Sequence, residues 1–337
     1  MQTQCSIGCD TTFYINLGVG AFLSAVKAFY RGYSASISSP SWTLGLRFES
    51  LEGDRRREFI MIIDGKLVKK EKLLELKKQL ELLNKKPCLC VVQVGHDEAS
   101  NVYVRQKAKL CEELGYEFIH RTLPEDIDET MLIQAIDLLN LDDEVDGIIV
   151  QMPLPPHLDA TKILNTIDSE KDVDGLTYLN SGMLLQKADG FIPCTPKGII
   201  DLLDYYNIPV EGKNCLVIGR SVLVGKPMAH LLLDRNGTVV VAHSKTPNLK
   251  ELSLQADIIV ACVGKKWLVT EDMVKPGAIV IDVGINRVDG KLYGDVDFEA
   301  VSQKASYITP VPGGVGQMTV YELCENTYKA YTRRRKK

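Results

Sequence analysis

Short apolar runs alternate with amphipathic segments through most of this chain, and this alternation limits the fold more than any other feature. Leucines recur at helical spacing among lysines and glutamates over residues 66–84, and the apolar run over residues 88–94 has the length of a buried strand. The elements predicted in this half are helices over residues 66–84, 99–114 and 129–139 and strands over residues 88–94, 118–122 and 147–151. Strands that alternate with helices predict a parallel α/β sheet.

A second alternating series begins after Pro196. Its predicted elements are helices over residues 197–206, 227–233 and 317–332 and strands over residues 214–219, 238–242, 257–262 and 278–283. We therefore predict two α/β domains, the first formed by residues 59–195 together with 310–337 and the second by residues 196–309.

Composition excludes several classes of function. The formal charge is −4, so no overall positive field would attract nucleic acid or an anionic membrane. The nine cysteines form no CxxC pair and the five histidines have no ligand spacing, which predicts free thiols, no metal site and a reducing, cytoplasmic location. The basic run over residues 333–337 is expected to be a solvated, frayed terminus.

Residues 1–58 lack a clean helical or strand period, and we expect a poorly ordered extension. The apolar stretch over residues 13–26 is too short and too broken to span a bilayer. An organelle transit peptide is the alternative, because residues 11–48 contain no acid and several serines and arginines. Met61, directly before the first patterned segment, is a possible start of the functional chain.

The segment after the first strand of the second domain has features of a dinucleotide-binding turn. Gly219 permits a tight turn, Gly225 permits close backbone approach, and Pro227 suits the first turn of a helix whose free N–H groups can bind phosphate. Arg220 and Ser221 lie between the glycines. The pattern differs from the usual G-x-G-x-x-G, and an ordinary strand-to-helix turn is the alternative.

The second strand of this domain ends without the acid that usually holds the ribose of NAD. The chain continues instead with His243, Ser244, Lys245 and Thr246. With Arg220 nearby, these hydroxyls and cations would accept a 2′-phosphate, which predicts NADP rather than NAD. The alternative is that Ser244 and Thr246 merely begin a loop.

Ser100, Tyr103 and Lys107 are spaced i, i+3, i+7 on a predicted helix, so Tyr103 and Lys107 share a face. An ammonium in a cleft can have a lowered pKa and transfer protons near neutral pH; an exposed lysine on a charged helix is the alternative. Short-chain dehydrogenases share the Tyr-x-x-x-Lys spacing, but their nucleotide turn comes first. Here Gly219 follows, which disfavours that class.

Polar side chains follow two strands, where open α/β sheets bind ligands. Gln151 ends the strand at residues 147–151, and it either binds a ligand or caps the backbone. Asp172 and Asp174 either hold the N–H edges of a heterocycle or serve as turn and cap residues. The Pro- and Gly-rich loop over residues 309–319 either approaches a flat ligand through its backbone or acts as a hinge.

Together these segments resemble the methylenetetrahydrofolate dehydrogenase/cyclohydrolase family. The resemblance runs from about Ile62 to Tyr331, and its motifs occur in the family's order. They are IDGK at 63–66, YVRQK at 103–107, VQMPLP at 150–155, KDVDGL at 171–176, PCTPKG at 193–198, GRS at 219–221 with VGKP at 224–227, HSKT at 243–246 and PVPGGVG at 310–316.

The resemblance implies a bifunctional enzyme of one-carbon folate metabolism. It would oxidise 5,10-methylenetetrahydrofolate with NADP to the methenyl cation and then hydrolyse that cation to 10-formyltetrahydrofolate. It also implies a Rossmann-like second domain, a folate cleft between the two domains and a homodimer.

The resemblance also implies residue roles. Lys107 assists proton transfer and water attack, Gln151 holds and tunes Lys107, Tyr103 packs against the folate, and Asp174 binds the pterin edge. The remaining residues implied for the substrate are Ser100, Val150, Met152, Pro312, Gly313 and Gly314, and those implied for the cofactor are Thr195, Gly219, Arg220, Ser221, Gly225, Ser244, Thr246 and Ile285.

Three features depart from the family pattern. Gln317 stands where the family usually has proline, residues 96–98 replace a more typical Asp-Asp-Pro, and residues 1–58 have no counterpart in the short members. None of these changes Lys107, Gln151 or Asp174. A non-enzymatic folate- or nucleotide-binding homologue is therefore disfavoured, although it remains the alternative.

Overall fold

In the computed structural model, residues 2–7, 11–16, 33–37, 46–50 and 60–335 are described. The chain divides into two compact units, Met1–Phe59 and Ile60–Lys337.

The described part of the first unit is a four-stranded sheet. Its strands are β1 (Gln2–Ile7), β2 (Thr11–Asn16), β3 (Tyr33–Ile37) and β4 (Leu46–Ser50), in the order β2-β1-β4-β3. β1 pairs antiparallel with β2 and parallel with β4. We did not predict these strands from the sequence, although apolar and polar residues alternate over residues 33–37 and 46–49. The other residues of the predicted extension lie outside the described residues, and its boundary stays a prediction.

The second unit contains two parallel sheets and their helices. Its helices are α1 (Gly65–Glu81), α2 (Glu98–Leu114), α3 (Glu129–Leu141), α4 (Ala160–Leu164), α5 (Tyr178–Leu185), α6 (Cys194–Tyr205), α7 (Gly225–Leu233), α8 (Leu249–Gln255), α9 (Phe298–Val301) and α10 (Val315–Arg335). Its strands are β5 (Met61–Ile62), β6 (Cys88–Val94), β7 (Glu117–Leu123), β8 (Gly147–Val150), β9 (Asn214–Ile218), β10 (Thr238–Ala242), β11 (Ile258–Ala261), β12 (Ile279–Asp282), β13 (Asn286–Val288), β14 (Lys291–Tyr293) and β15 (Tyr307–Ile308). The predicted α/β class is confirmed.

The smaller sheet has the order β7-β6-β8, with both pairings parallel. β6 and β8 are buried along their whole length, which is why both appear in the sequence as continuous apolar runs. Cys88 and Cys90 are two residues apart on β6, so they point to one face, and they pack in one core with Leu132 and Ile136 of α3.

The larger sheet has the order β10-β9-β11-β12-β15-β5, and all its pairings are parallel. Its edge strand β5 comes from the start of the first predicted domain. Met61 pairs with Tyr307 and Ile62 with Ile308. A strand of two residues is too short to show a period, so its membership could not be predicted from the sequence.

Helix α6 crosses the predicted domain boundary at residue 195. It packs against both α7 and the final helix α10, which also contacts α1 and α2. One continuous core cluster extends from Ile63 through Ile199 to Ala330. The two sheets therefore share packing helices. None of the described helices is long and apolar enough to cross a membrane.

The expectation of a frayed basic terminus is wrong for the residues that the structure describes. Helix α10 continues to Arg335. Arg333 donates to the carbonyl of Asp189 at 2.8 Å, and Arg334 pairs with the fully buried Asp146 at 3.3 Å. Carboxylates contributed by distant segments hold this end of the chain, and sequence spacing cannot show that.

Candidate active site

Helix α2 places Tyr103 and Lys107 on one face. The helix begins at the Asp97 cap, whose Oδ2 accepts from the backbone N–H of Ser100 at 2.7 Å. It ends at Gly115, whose left-handed φ of 71° is a conformation that glycine adopts readily at the end of a helix. Tyr103 remains 40% exposed, while Lys107 is half-buried and turned towards the end of β8.

Lys107 and Gln151 form a direct hydrogen bond. The Lys107 Nζ donates to Gln151 Oε1 at 2.8 Å, and Gln151 Nε2 donates to the carbonyl of Met152 at 2.7 Å. Because the Met152 carbonyl takes the Gln151 amide N–H, the amide oxygen must face the lysine. Gln151 is 9% exposed. It therefore fixes the position of the lysine as well as the backbone at the strand end.

The two carboxylates of the KDVDG loop have different surroundings. Asp172 accepts from the N–H groups of Leu176 and Thr177 at 3.1 and 2.8 Å, and from Asn180 Nδ2 at 2.8 Å. These bonds make Asp172 a turn residue. Asp174 instead faces the cavity that Lys107 lines. The turn role that the sequence left open thus applies to Asp172, and a binding role for Asp174 stays a prediction.

Burial shifts both charged groups of this cavity towards their neutral forms. Desolvation lowers the pKa of Lys107, and the nearby Asp174 opposes this shift. Desolvation raises the pKa of Asp174, and Lys107 opposes that shift. In each case burial is the larger cause. Asp174 is also hydrogen-bonded to Cys194, a residue that the sequence did not single out.

These residues line a cavity of about 670 Å³, here called the central cleft. It lies between the smaller sheet with α2 and the ends of β12 and the 310–316 loop. Nine predicted residues line it: Tyr103, Lys107, Gln151, Asp174, Thr195, Ile285, Pro312, Gly313 and Gly314. Nine others do not: Ser100, Val150, Met152, Gly219, Arg220, Ser221, Gly225, Ser244 and Thr246.

Three residues predicted to contact substrate, Ser100, Val150 and Met152, lie beside the cleft and not in its lining. The hydroxyl of buried Ser100 donates to the Met152 carbonyl at 3.4 Å. Val150 is 2% exposed and packs with Leu132 in the core. Because side chains alternate along a strand, the Val150 side chain faces away from the side on which Gln151 acts. The Val150 side chain therefore packs in the core, and a contact of this residue with the substrate stays a prediction.

The turn after β9 brings two glycines together. Gly219 has a φ of 132°, and a Cβ on Gly225 would overlap the backbone of Gly219. The Ser221 hydroxyl accepts from the N–H groups of Val224 and Gly225 at 3.2 and 3.4 Å. Side-chain atoms are thus excluded where the turn meets α7, which is the shape that a dinucleotide phosphate requires.

The end of β10 carries hydroxyls and cations. Thr246 Oγ1 accepts from the His243 N–H at 3.0 Å, which closes a tight turn. Ser244 and Lys245 are exposed at its tip, as Arg220 is in the first turn. Residues 243–246 include no carboxylate. The residues present therefore fit a dinucleotide with a 2′-phosphate, and Thr246 supports the loop.

Two buried carboxylates were not predicted from the sequence: Asp282 at the end of β12, and Asp295 after β14. Asp282 accepts from the N–H groups of Gly284, Asp295 and Val296 at 2.8 to 3.0 Å. Asp295 accepts from those of Val263, Gly264 and Lys265 at 2.7 to 3.0 Å. Burial raises the pKa of Asp282 to about 7. The position of Asp282 at the end of a predicted strand could have marked it as a candidate site residue.

One cluster of carboxylates among the described residues has the spacing of a cation site, namely Asp201, Glu322 and Glu325. The Lys197 ammonium lies among them and pairs with Asp201 at 3.7 Å, with Glu325 at 2.7 Å and with Glu322. A lysine thus takes the place that a metal ion would need.

Two family models match the chain. The model of the tetrahydrofolate dehydrogenase/cyclohydrolase catalytic domain matches residues 63–174, and that of the tetrahydrofolate dehydrogenase/cyclohydrolase NAD(P)-binding domain matches residues 193–335. The second match includes α10, which the sequence places with the first domain.

Known proteins resemble the chain over most of its length. It is 52% identical to the bifunctional protein FolD of Campylobacter curvus over 279 residues, covering 82% of this chain and 97% of that protein. A solved structure of bifunctional FolD from Campylobacter jejuni superposes with a TM-score of 0.80 at 48% identity, covering 82% of this chain and 99% of that one. The Trypanosoma brucei FolD, solved with NADP cofactor and inhibitor, is 36% identical with a TM-score of 0.78, covering 81% and 98%.

Proposed function

The chain belongs to the tetrahydrofolate dehydrogenase/cyclohydrolase family, and from that premise we propose how its residues carry out two linked reactions. The enzyme oxidises 5,10-methylenetetrahydrofolate to 5,10-methenyltetrahydrofolate with NADP and then hydrolyses the product to 10-formyltetrahydrofolate. When bound, NADP accepts the hydride from the methylene carbon. The Lys107–Gln151 hydrogen bond in the central cleft is the observation that carries the proposed roles.

The dinucleotide turn and the central cleft bind different parts of NADP. We assign the NADP phosphates to the Gly219–Gly225 turn and the 2′-phosphate to Arg220 and Ser244. Arg220 presents a planar, permanently charged group suited to phosphate oxygens. Thr195 and Ile285 line the cleft itself and would face the reacting end of the dinucleotide.

Lys107 acts in the hydrolysis. Burial lowers its pKa, and the cationic methenyl group beside it would favour the neutral amine further. That amine takes a proton from water as the water oxygen bonds to the methenyl carbon. The hydroxyl proton then moves to N5 as the bond between this carbon and N5 breaks. Gln151 holds the amine in place through its oxygen.

Asp174 and Tyr103 position the substrate. The Asp174 carboxyl faces the cleft and can bind the N–H edge of the pterin ring, and Tyr103 offers an aromatic surface at the entrance. Pro312, Gly313 and Gly314 present backbone on the opposite wall. A flat ligand would therefore lie between an aromatic ring and a loop without large side chains.

The test uses two assays on one preparation. NADP reduction with methylenetetrahydrofolate measures the first reaction, and loss of methenyltetrahydrofolate above its uncatalysed rate measures the second. Below the pKa of Lys107 the neutral amine becomes scarcer as pH falls, so hydrolysis should slow towards acid pH. The absence of both activities would contradict the function, and a hydrolysis rate independent of pH would contradict the role of Lys107.

We also propose a homodimer in the cytoplasm. Leu138 and Leu141 of α3 are 70% and 81% exposed, and an interface between copies would cover such surfaces. The seven described cysteines are all free thiols, which suits a reducing compartment. Light scattering should give twice the chain mass, and cell fractionation should place the protein with cytoplasmic markers. A monomer mass would contradict the first proposal.

A further inference from the structure

A buried carboxylate joins separate segments at the carboxyl end of the larger sheet. Asp295 is fully buried and follows β14. Its Oδ2 accepts from the backbone N–H groups of Val263 and Gly264 at 2.7 and 3.0 Å. Its Oδ1 accepts from the Lys265 N–H at 2.7 Å and from Asn286 Nδ2 at 3.1 Å. One side chain therefore fixes both the segment after β11 and the start of β13.

Asp295 is itself held by the second buried carboxylate, Asp282. The Asp295 N–H donates to Asp282 Oδ1 at 2.8 Å, and the Gly284 N–H donates to the same oxygen at 3.0 Å. A Cβ on Gly284 would overlap the Asp295 carboxyl group. The chain after β12 thus packs directly against Asp295, and the position of one depends on the position of the other.

These segments lie where a dinucleotide would pass. In the larger sheet β11 lies between β9 and β12. The proposed phosphate site is at the end of β9, and Ile285, which lines the central cleft, follows β12. Because ligands of open α/β sheets lie beyond the carboxyl ends of the strands, a dinucleotide that reaches from one to the other must cross the end of β11. Asp295 therefore holds the backbone beneath the dinucleotide and the backbone beside its reacting end.

We propose that Asp295 is a positioning residue for hydride transfer, which orients the reacting end of NADP towards the methylene carbon of the substrate. This inference rests on the proposed function, which places that end beside Ile285. Asp295 does not line the cleft, so it acts through the backbone that it holds, over residues 263–265 and 284–286. Hydrolysis of methenyltetrahydrofolate transfers no hydride and is assigned to Lys107 of α2. The proposed role therefore concerns only one of the two reactions.

Asp295→Asn tests this role while keeping the shape of the side chain. The new NH2 group would face N–H donors in place of one acceptor oxygen, so two of the four hydrogen bonds would be lost. Because a displacement of about 1 Å can lower a rate about a hundredfold, NADPH formation in a single turnover at saturating NADP should slow about tenfold to a hundredfold. Hydrolysis of methenyltetrahydrofolate and the Kd for NADP should be largely retained.

Amide hydrogen exchange tests the same contacts in the enzyme without NADP. The N–H groups of residues 263–265 lose acceptors in Asp295→Asn, so their exchange should accelerate. Asp146→Asn is the matched control, because Asp146 is equally buried and accepts from the Cys88 N–H at 2.9 Å in the smaller sheet. That control should leave the ratio of the two activities unchanged.

Asn286→Ala keeps the test decisive if Asp295→Asn does not fold. It removes one donor to Asp295 from a half-buried side chain and leaves the buried carboxylate in place. The single-turnover rate should fall about fivefold, the rate equivalent of a typical hydrogen bond, while hydrolysis of methenyltetrahydrofolate is retained.

Three results would overturn the inference while the proposed function stands. They are a single-turnover rate near that of the wild type in Asp295→Asn, or in Asn286→Ala if the first variant does not fold; an equal loss of both activities; and a Kd for NADP that rises as much as the rate falls. Failure of the wild-type enzyme to reduce NADP with methylenetetrahydrofolate would overturn the proposed function and this inference together. The two failures are therefore distinguishable in the same set of assays.

Discussion

The two strand ends to which we assign ligand binding differ in what forms them. At the end of β8, the proposed chemistry depends on buried side chains, since Lys107 is held by Gln151 and has a pKa lowered by desolvation. At the end of β9, the essential feature is the absence of side-chain atoms, since Gly225 lies against the backbone of Gly219. One region should therefore be sensitive to a change in proton affinity without a change in shape, and the other to a single added carbon atom.

Lys107→Met would break the first region while keeping its shape. Methionine has similar length and apolar bulk but cannot accept a proton. Because a positioned proton acceptor typically contributes about a hundredfold to ten-thousandfold, hydrolysis of methenyltetrahydrofolate should fall by that factor. Substrate binding, measured in parallel, should be largely retained. Lys109→Met is the control, and a Lys107→Met rate near that of the wild type would show that the lysine takes no part.

Gly225→Ala would break the second region. The added Cβ would overlap the Gly219 backbone, and relieving such overlap typically costs about 1–3 kcal/mol. We expect the KM for NADP to rise roughly tenfold to a hundredfold, while methenyltetrahydrofolate hydrolysis persists. Gly182→Ala is the matched control, because a Cβ there meets nothing within 4 Å. Equal effects on both activities would show that the turn supports the whole fold rather than NADP.

The preference between NADP and NAD tests whether residues near the ends of β9 and β10 bind the 2′-phosphate. Charge-assisted contacts to phosphate contribute about 1.5–3 kcal/mol, so kcat/KM should favour NADP by roughly tenfold to a hundredfold. Arg220→Gln should reduce that preference by lowering kcat/KM for NADP and not for NAD. Equal values for the two dinucleotides in the wild-type enzyme would contradict the assignment of the 2′-phosphate to Arg220 and Ser244.

Removal of residues 1–59 should have the smallest effect. They belong to a separate compact unit, whereas both strand ends lie within residues 60–337. A chain with a starting Met before Ile60 should keep both activities and the contrast between Lys107→Met and Gly225→Ala. An insoluble or inactive product would show that the N-terminal unit is required by the enzyme.

Much of the fold could be predicted from local patterns. β6 and β10 have the predicted bounds, and α2 ends at the predicted Leu114. Their signals are contained in a few neighbouring residues. The end of α10 could not be predicted, because Arg334 is held by Asp146, which lies far away in sequence. The sequence shows that residues 333–337 are basic. Whether they are buried depends on the surface against which they pack.

The candidate site likewise contains features that local sequence predicts and features that depend on distant residues. The spacing of Tyr103 and Lys107 on one helix face follows from the helix period alone. Between Asp172 and Asp174 the sequence offered no choice, because both are carboxylates in one loop. The structure separates them, since the backbone amides that follow occupy Asp172 and leave Asp174 in the cleft. Asp282 and Cys194 were missed because their partners come from other strands and loops.

The sequence by itself determined most of the longer helices and strands of residues 60–335, the glycine turn and the order of motifs by which the family is identified. Each of these depends on neighbouring residues, whose period or conformational freedom is a local property. Only the tertiary structure decided that Met61 and Ile62 complete the larger sheet, that α6 joins the two sheets, and that Lys107 is desolvated beside Gln151. Strand pairing and burial depend on which distant segments meet. The pKa of a lysine, and thus its chemistry, follows from its surroundings.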